Sequence, residues 1–467
     1  MKAHGYGCAQ VRECTNFYIQ GRRVTMPTFL LPSRRNSTNS TATLNSEKMK
    51  LDSKEHPVGR RICKLQAKTI LLAAMATMVL LVCLPINSPS SEYSSSSTQD
   101  LSDPTNQERK SASAIREQCD LFTGEWVPNL DAPYYTNSCY AIHEHQNCKK
   151  FGRPDTEFLK WRWKPDGCEL PIFDADTFLE FMQNKSIAFV GDSVGRNHLQ
   201  SLICLLSKIE YPQHIEAEKV NRWVYNSFNF TMVAFWTPFL VRWNEADPNG
   251  PSKTGIFNLY LDEDDFWVNQ IDEFDYVIIN GGRWFYRSSV YHEKGKISGC
   301  RYCLYPNTTD LPMQYGYRMA IRTALRAINS RKNFKAVTFL RTLAPSHFEN
   351  GQWNEGGNCV RTTPWKRNEA NLTGIEYDQY EIQLEEFRTA KKEGGEMGRK
   401  FVLFDITGAF MMRPDGHPSR YGHWPDAKVA LYNDCVHWCL PGPIDVWSDL
   451  FLEMLRTEPW RTEETAH

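Results

Sequence analysis

Three residues in this chain have the types and the order that nucleophilic catalysis needs. Ser193 follows Gly191-Asp192 at the end of a short apolar run, Ile187-Ala188-Phe189-Val190. Far along the chain, Asp434 precedes His437 by three positions. A serine hydroxyl is a weak nucleophile until a base takes its proton. An imidazole can be that base, and a carboxylate beside it fixes its tautomer and raises its basicity. Asp and His three apart lie on one face of a turn or helix. Each part alone has a plainer explanation: Asp192 or Ser193 suits a helix N-cap, and a lone histidine is more often structural. The combination of a Gly-Asp-Ser turn and a distant Asp-x-x-His is poorly explained by coincidence.

The elements around these residues would position them well. Ile187–Val190 reads as a strand buried on both faces. From Asn197 the residues His198, Leu199, Leu202, Ile203, Leu205 and Leu206 fall at helical spacing. Ser193 therefore sits at a sharp strand-to-helix turn, at the carboxyl edge of a sheet and beside the free N–H groups of a helix start. Further strands are expected at 228–239, with 223–225 as a hairpin partner, and at 274–279, 336–341 and 401–406. Helices are expected at 315–328, at 377–392 and from Ile444 onward. Strands separated by helical segments imply an α/β fold, a mainly parallel sheet covered by helices on both faces. Sites in such folds lie outside the carboxyl ends of the strands, where Ser193, Asn280-Gly281 and Arg341-Thr342 all fall.

The 467 residues carry a net charge of -1 and are 41% hydrophobic, which allows a sizeable core and favours no nucleic-acid partner. Aromatic residues make up 13%, which suits stacking against sugar rings and equally suits an ordinary core. Residues 1–68 hold 13 Lys/Arg against 4 Asp/Glu and read as a disordered tail. Residues 69–86 form an uncharged run of 18, at the short end for a membrane span. The basic flank on its N-terminal side predicts a cytoplasmic tail, an uncleaved signal anchor and a lumenal bulk; a cleaved signal peptide is the rival. Residues 87–118 are Ser-rich and read as a stem.

Ten of the 14 cysteines follow the stem, an even number in what would be an oxidising compartment. Disulfides are expected among Cys119, Cys139, Cys148, Cys168, Cys204, Cys359, Cys435 and Cys439. A zinc site from Cys300 and Cys303 with Cys435 and Cys439 is the rival, with a second spacing that fits zinc poorly. Residues 119–172 read as an irregular, stapled segment, and residues 173–460 as the catalytic domain. Trp161, Arg162 and Trp163 would line a groove or pack beneath a loop. Sequons at Asn184, Asn229, Asn307 and Asn371 are glycosylation candidates; Asn184 abuts the Ser193 strand, which would crowd it.

Gly-Asp-Ser with a distant Asp-x-x-His resembles the SGNH (GDSL) hydrolase arrangement. The stretches GDSVGRNHLQSLICLL, NGGRWFY, WNEGGNCVRTTP, DITGAFMMRPDGHPSRY and DCVHWCLPGPIDVW resemble the plant trichome birefringence-like family of polysaccharide O-acetyltransferases. The resemblance runs from Cys119 to Leu455 and extends to the cysteine-rich segment. It implies a type II Golgi membrane protein that moves acetyl groups onto a cell-wall hemicellulose. By motif, Ser193 is the nucleophile, forming an acetyl-serine; His437 is the base and Asp434 orients it. Gly191 and Asp192 serve the turn itself. The Ser193 N–H, Arg196, Asn197, Asn280 and Gly281 are candidates for stabilising an oxyanion, and Arg283 and Trp284 for lying near the acceptor. Xyloglucan is favoured as acceptor over mannan. The resemblance implies no bound cofactor. The acetyl donor, or a protein supplying it, is the remaining partner, and no glycine-rich loop for coenzyme A is present. The same triad with water as acceptor would make a polysaccharide deacetylase, and a non-catalytic wall-polymer binder is the third reading.

Overall fold

The computed structural model describes residues 119–457 apart from 130, 132, 247–254, 304–306 and 430–431. The tail, the apolar run and the stem lie outside the described residues. No helix among the described residues is long and apolar enough to cross a membrane.

The chain begins with β1 (Asp120–Pro128) and β2 (Trp161–Asp166), an antiparallel ribbon. The stapled segment is therefore less irregular than its composition implies. Helix α1 (Ala175–Phe181) leads into β3 (Ser186–Gly191) and α2 (Ser193–Leu206). Next come β4 (Gln213–Glu216), β5 (Val220–Tyr225), β6 (Phe230–Trp236), β7 (Val241–Glu245), β8 (Phe257–Asp264), β9 (Tyr276–Ile279), β10 (Ser289–Glu293) and β11 (Lys296–Arg301). The chain finishes with α3 (Met313–Ser330), β12 (Val337–Arg341), α4 (Gly374–Gly395), β13 (Lys400–Phe404), α5 (Thr407–Met411) and α6 (Val446–Thr457).

The main sheet has seven strands in the order β13-β12-β9-β3-β6-β5-β4. The five from β13 to β6 are parallel, and β5 and β4 add an antiparallel edge. Alternation along β3 shows how both faces are used. Ile187 and Phe189 join a core with Leu199, Leu202 and Ile203 of α2 and Trp447, Leu450 and Phe451 of α6. Ala188 and Val190 join a second core with Tyr317, Ile321, Leu325 and Ile328 of α3 and Ile382 and Phe387 of α4. The expected α/β architecture, parallel at its centre with helices on both faces, is what forms. A separate four-stranded sheet, β11-β10-β8-β7, was not apparent from the sequence.

From β3 the chain moves to one side, to β6, and then returns to the other side through β9, β12 and β13. This reversal makes the carboxyl end of β3 the switch point of the sheet, where a crevice opens between diverging connections.

Five disulfides lock the described chain: Cys119–Cys168, Cys139–Cys204, Cys148–Cys439, Cys300–Cys303 and Cys359–Cys435. All eight cysteines expected to be oxidised are bonded. Cys300 and Cys303 bond to each other, so the cysteines of the rival zinc set are all engaged. Trp163 is buried, edge-on to Trp126, and packs rather than lining a groove; Trp161 is half-buried. The four sequon asparagines are all exposed, Asn184 included, although Asn229 Nδ2 donates to Asn184 Oδ1 at 3.1 Å.

Candidate active site

The turn that carries Ser193 is built by its neighbours. Gly191 adopts φ 153°, and a Cβ there would lie 2.2 Å from the Asn280 carbonyl oxygen. A Cβ on Gly195 would lie 2.3 Å from Asn280 Nδ2. Only glycine at both positions lets the end of β9 press against the start of α2. Asp192 is the N-cap: its Oδ1 accepts the Val194 N–H at 3.0 Å, and its Oδ2 accepts the Arg283 N–H at 3.4 Å. The capping explanation thus belongs to Asp192. It starts the helix four residues earlier than the apolar spacing indicates and leaves Ser193, half-buried, at the first helical position.

Asp434 and His437 meet within a turn outside any helix. Asp434 Oδ2 accepts from His437 Nδ1 at 2.8 Å, while its Oδ1 accepts the main-chain N–H groups of Val436 at 3.1 Å and His437 at 3.0 Å. Burial alone would raise the Asp434 carboxyl, but the imidazole and these N–H donors outweigh it and hold the carboxyl well below its usual range. Burial likewise opposes charge on His437, and the Asp434 carboxylate more than offsets it, raising the imidazole above its ordinary value. With Nδ1–H held by the carboxylate, Nε2 carries the lone pair. That Nε2 is buried and has no hydrogen-bond partner.

Asn197, one turn beyond Ser193 on α2, brings the two parts together. Its Oδ1 accepts the Trp438 N–H at 2.7 Å, and its Nδ2 donates to the Trp438 carbonyl at 3.3 Å and to Gln146 Oε1 at 3.0 Å. These bonds pin the residue after His437 to the helix that presents Ser193. His437 also feels the charges of Asp192 and Arg196, which flank Ser193 on that helix. Both amide atoms of Asn197 are engaged, so the expectation that it donates to an oxyanion gives way to a positioning role.

The other candidates divide. Arg196 is half-buried, lies over the Trp236 ring at 4.9 Å and forms no ion pair among the described residues; burial lowers its pKa. Trp236 meets Trp284 edge-to-face at 5.6 Å, and Arg287 stacks on Trp284 at 3.9 Å. Arg196, Trp236 and Trp284 thus form a half-buried rim leading away from Ser193. Asn280 is buried, with Nδ2 donating to the Val190 carbonyl at 3.2 Å and Oδ1 unpartnered. The Gly281 carbonyl accepts from Tyr317. The Arg283 guanidinium binds Glu376 and the Ala344 carbonyl, so it ties the start of α4 to the loop after β12 rather than facing outward.

Sequence reasoning missed the contribution of the N-terminal segment. Gln146 binds Asn197, and its carbonyl accepts the Leu440 N–H at 2.8 Å. Half-buried His143, held down to about 4 by burial and then by the charges of Arg196, His145 and His437, belongs to the same neighbourhood. Its histidine-rich stretch between Cys139 and Cys148 was the available signal.

A serine at the switch point of a parallel sheet, with a late Asp-x-x-His turn tied to its helix through Asn197, is the arrangement an SGNH-type acyl esterase needs. Residues 170–454 match the GDSL/SGNH-like acyl-esterase family found in Pmr5 and Cas1p, and residues 117–169 match the PMR5 N-terminal domain. The chain is 57% identical over 349 residues to protein trichome birefringence-like 19 of Arabidopsis thaliana, covering 73% of this chain and 82% of that one. It is 46% identical over 346 residues to xyloglucan O-acetyltransferase 4 of Populus trichocarpa, covering 73% and 81%. It is 42% identical over 349 residues to xyloglucan O-acetyltransferase 2 of Arabidopsis thaliana, covering 73% and 84%. The chain belongs to the trichome birefringence-like family of GDSL/SGNH-like acyl esterases.

Proposed function

We propose that this protein transfers acetyl groups to hydroxyls of a plant cell-wall hemicellulose, with xyloglucan as the acceptor, in the Golgi lumen. The observation that carries the reading is the Asp434–His437 pair, its Nε2 unpartnered and the adjoining Trp438 tied through Asn197 to the helix that presents Ser193. The xyloglucan O-acetyltransferases among the relatives support the reaction and the acceptor class. The basic flank and apolar run at 69–86 support the anchored, lumenal topology.

In the first half-reaction His437 Nε2 takes the Ser193 proton as Oγ attacks the acetyl carbonyl of the donor. Asp434 stabilises the imidazolium that forms. The tetrahedral oxyanion is met by the Ser193 and Gly281 N–H groups and by the second Nδ2 proton of Asn280. Collapse releases the donor remnant, which carries away the proton from His437, and leaves acetyl-Ser193. In the second half a sugar hydroxyl gives its proton to His437 and attacks the acetyl-serine, and collapse returns that proton from His437 to Oγ, restoring Ser193. The acceptor chain lies along Arg196, Trp236 and Trp284, whose flat faces and guanidinium suit sugar rings and hydroxyls.

The test incubates the full chain with an acetyl donor and separate xyloglucan, mannan and xylan oligosaccharides, with mass spectrometry of the products. Acetylated xyloglucan, absent with Ser193→Ala, is the expected result. Transfer to mannan alone would replace the acceptor, and net acetyl release would replace transfer by hydrolysis. Undiminished transfer by Ser193→Ala would overturn the triad.

A further inference from the structure

Two buried histidines stand behind the proposed base and are unused by the reaction as written. His347 Nε2 lies 2.9 Å from the Met411 carbonyl oxygen, and His417 Nδ1 lies 2.7 Å from the His437 carbonyl oxygen. The remaining two nitrogens, His347 Nδ1 and His417 Nε2, face each other at 2.7 Å. A carbonyl oxygen only accepts, so the two outer nitrogens must each carry a proton. The inner contact then needs a third proton, because two bare lone pairs at that distance repel. Satisfying all three contacts at once therefore takes three protons on four nitrogens, and with them one positive charge on the pair.

We propose that His347 and His417 are positioning residues for His437, holding one shared proton between them so that His417 Nδ1–H stays on the His437 carbonyl. The proposal rests on the reading of His437 as the base. Loss of the shared proton to solvent leaves two protons for three contacts, and one contact must open. The bond to His437 is among those at risk, so proton occupancy of the pair is linked to the placement of the base.

The surroundings divide for and against the charge. Burial opposes it, holding His347 down to about 4 and His417 well below the ordinary imidazole range; charge on His347 lowers His417 further, and Arg283 adds to this at both. The carboxylates of Glu376 and Asp415 act on His347 in the other direction, as Asp434 does on His417. Arg413 pairs with Asp415 at 2.8 Å, and Arg153 donates to the His417 carbonyl at 2.9 Å. The His417 ring stacks on Trp438 with centroids 4.2 Å apart, and Trp365 meets His347 edge-on at 5.3 Å. A cation over an indole face is stabilised in a desolvated site.

Two measurements test the proposal. Histidine-selective isotope labelling of the full chain, read by NMR at about pH 6, counts protonated nitrogens directly. Three on the pair, with one proton coupled to both rings, is expected; two protonated nitrogens would overturn the shared proton, whatever becomes of the triad. Kinetically, His417→Phe should lower kcat about 10- to 100-fold with little change in acceptor KM. His417→Asn, whose amide N–H replaces the Nδ1 donor, should recover most of it. A folded His417→Phe with wild-type kcat would overturn the positioning role, and the NMR count still decides the shared proton if that variant does not fold.

Discussion

Asn197→Ala separates holding the base from performing the chemistry. The substitution removes a 2.7 Å bond from the Trp438 N–H, a 3.3 Å bond to the Trp438 carbonyl and a 3.0 Å bond to Gln146. Asn197 and Trp438 are fully buried and Gln146 nearly so, and water has little access to the groups left behind. Each orphaned buried group costs about 1–3 kcal/mol, with the long carbonyl contact at the low end, so the loss sums to about 3–7 kcal/mol. That is a large part of the 5–15 kcal/mol that domains typically hold, roughly. Activity should fall further than stability explains. A displacement of the base by about 1 Å can cost on the order of 100-fold. Asn197→Asp tests the geometry more finely. It keeps an acceptor for the Trp438 N–H but turns an oxygen towards the Trp438 carbonyl and Gln146 Oε1, so it should rescue little. The assay pairs denaturant unfolding, followed by tryptophan fluorescence, with initial rates of acetyl transfer on the folded fraction. A folded Asn197→Ala protein with kcat within about twofold of wild type would refute the argument, because its base would then be placed without the clamp.

Two further outcomes follow from groups that join the N-terminal segment to the rest. Replacing both Cys148 and Cys439 by serine should cost about 2–5 kcal/mol and also lower kcat, because Cys439 lies two residues from His437; the same change at Cys119 and Cys168 should cost stability alone. Equal kcat in the two double variants would contradict this. Asp449, bonded to Tyr134 and to the Phe173 N–H, is raised by burial to about 8, while Asp445 rises to about 6. A raised carboxyl is neutral when folded and ionised when unfolded across the shifted window. Its stabilisation is therefore complete below about pH 4 and lost, at about 1.4 kcal/mol per pH unit, as pH climbs towards the folded value. Above the Asp445 range Asp449 shares this slope with His437, whose imidazole is also raised, so Asp449→Asn should make the fall of unfolding free energy between about pH 6 and pH 8 shallower. Parallel curves for variant and wild type would rule it out.

Much of this was legible in the sequence. Val190 and its neighbours announced a doubly buried strand, and the helical spacing from His198 onward announced α2. The motifs placed Ser193, Asp434 and His437 in order. What stayed hidden depends on contacts distant in sequence. β8 does alternate, with Phe257, Leu259 and Leu261 turned inward. Its neighbour β10, and β11 beyond it, carry His292, Glu293, Lys296 and Arg301, so periodicity could not pair them. The role of Asn197 was misjudged for the same reason. An amide one turn from a nucleophile looks like an anion donor until its partners are known, and those lie 51 and 241 residues away. His347 and His417 carried no spacing at all that could connect them.

The stretch from Asp434 to Leu440 explains why so many distant groups converge on this site. Apart from an isolated bridge at Asp434 it has no regular helix or strand, so it cannot fix its own backbone. Ser419 exchanges both main-chain bonds with Asp434, at 2.8 and 2.9 Å. The Cys435 carbonyl accepts from the His347 N–H, the Cys439 N–H donates to Gly416, and the Leu440 N–H donates to Gln146. His417 holds the His437 carbonyl and Asn197 holds Trp438 on both sides. Two disulfides close the ends at Cys435 and Cys439. A general base must be placed to within a fraction of an ångström, and an irregular loop reaches that precision only if other elements supply its hydrogen bonds. The N-terminal segment supplies one of those bonds and one of those disulfides, which makes it part of the machinery that places His437.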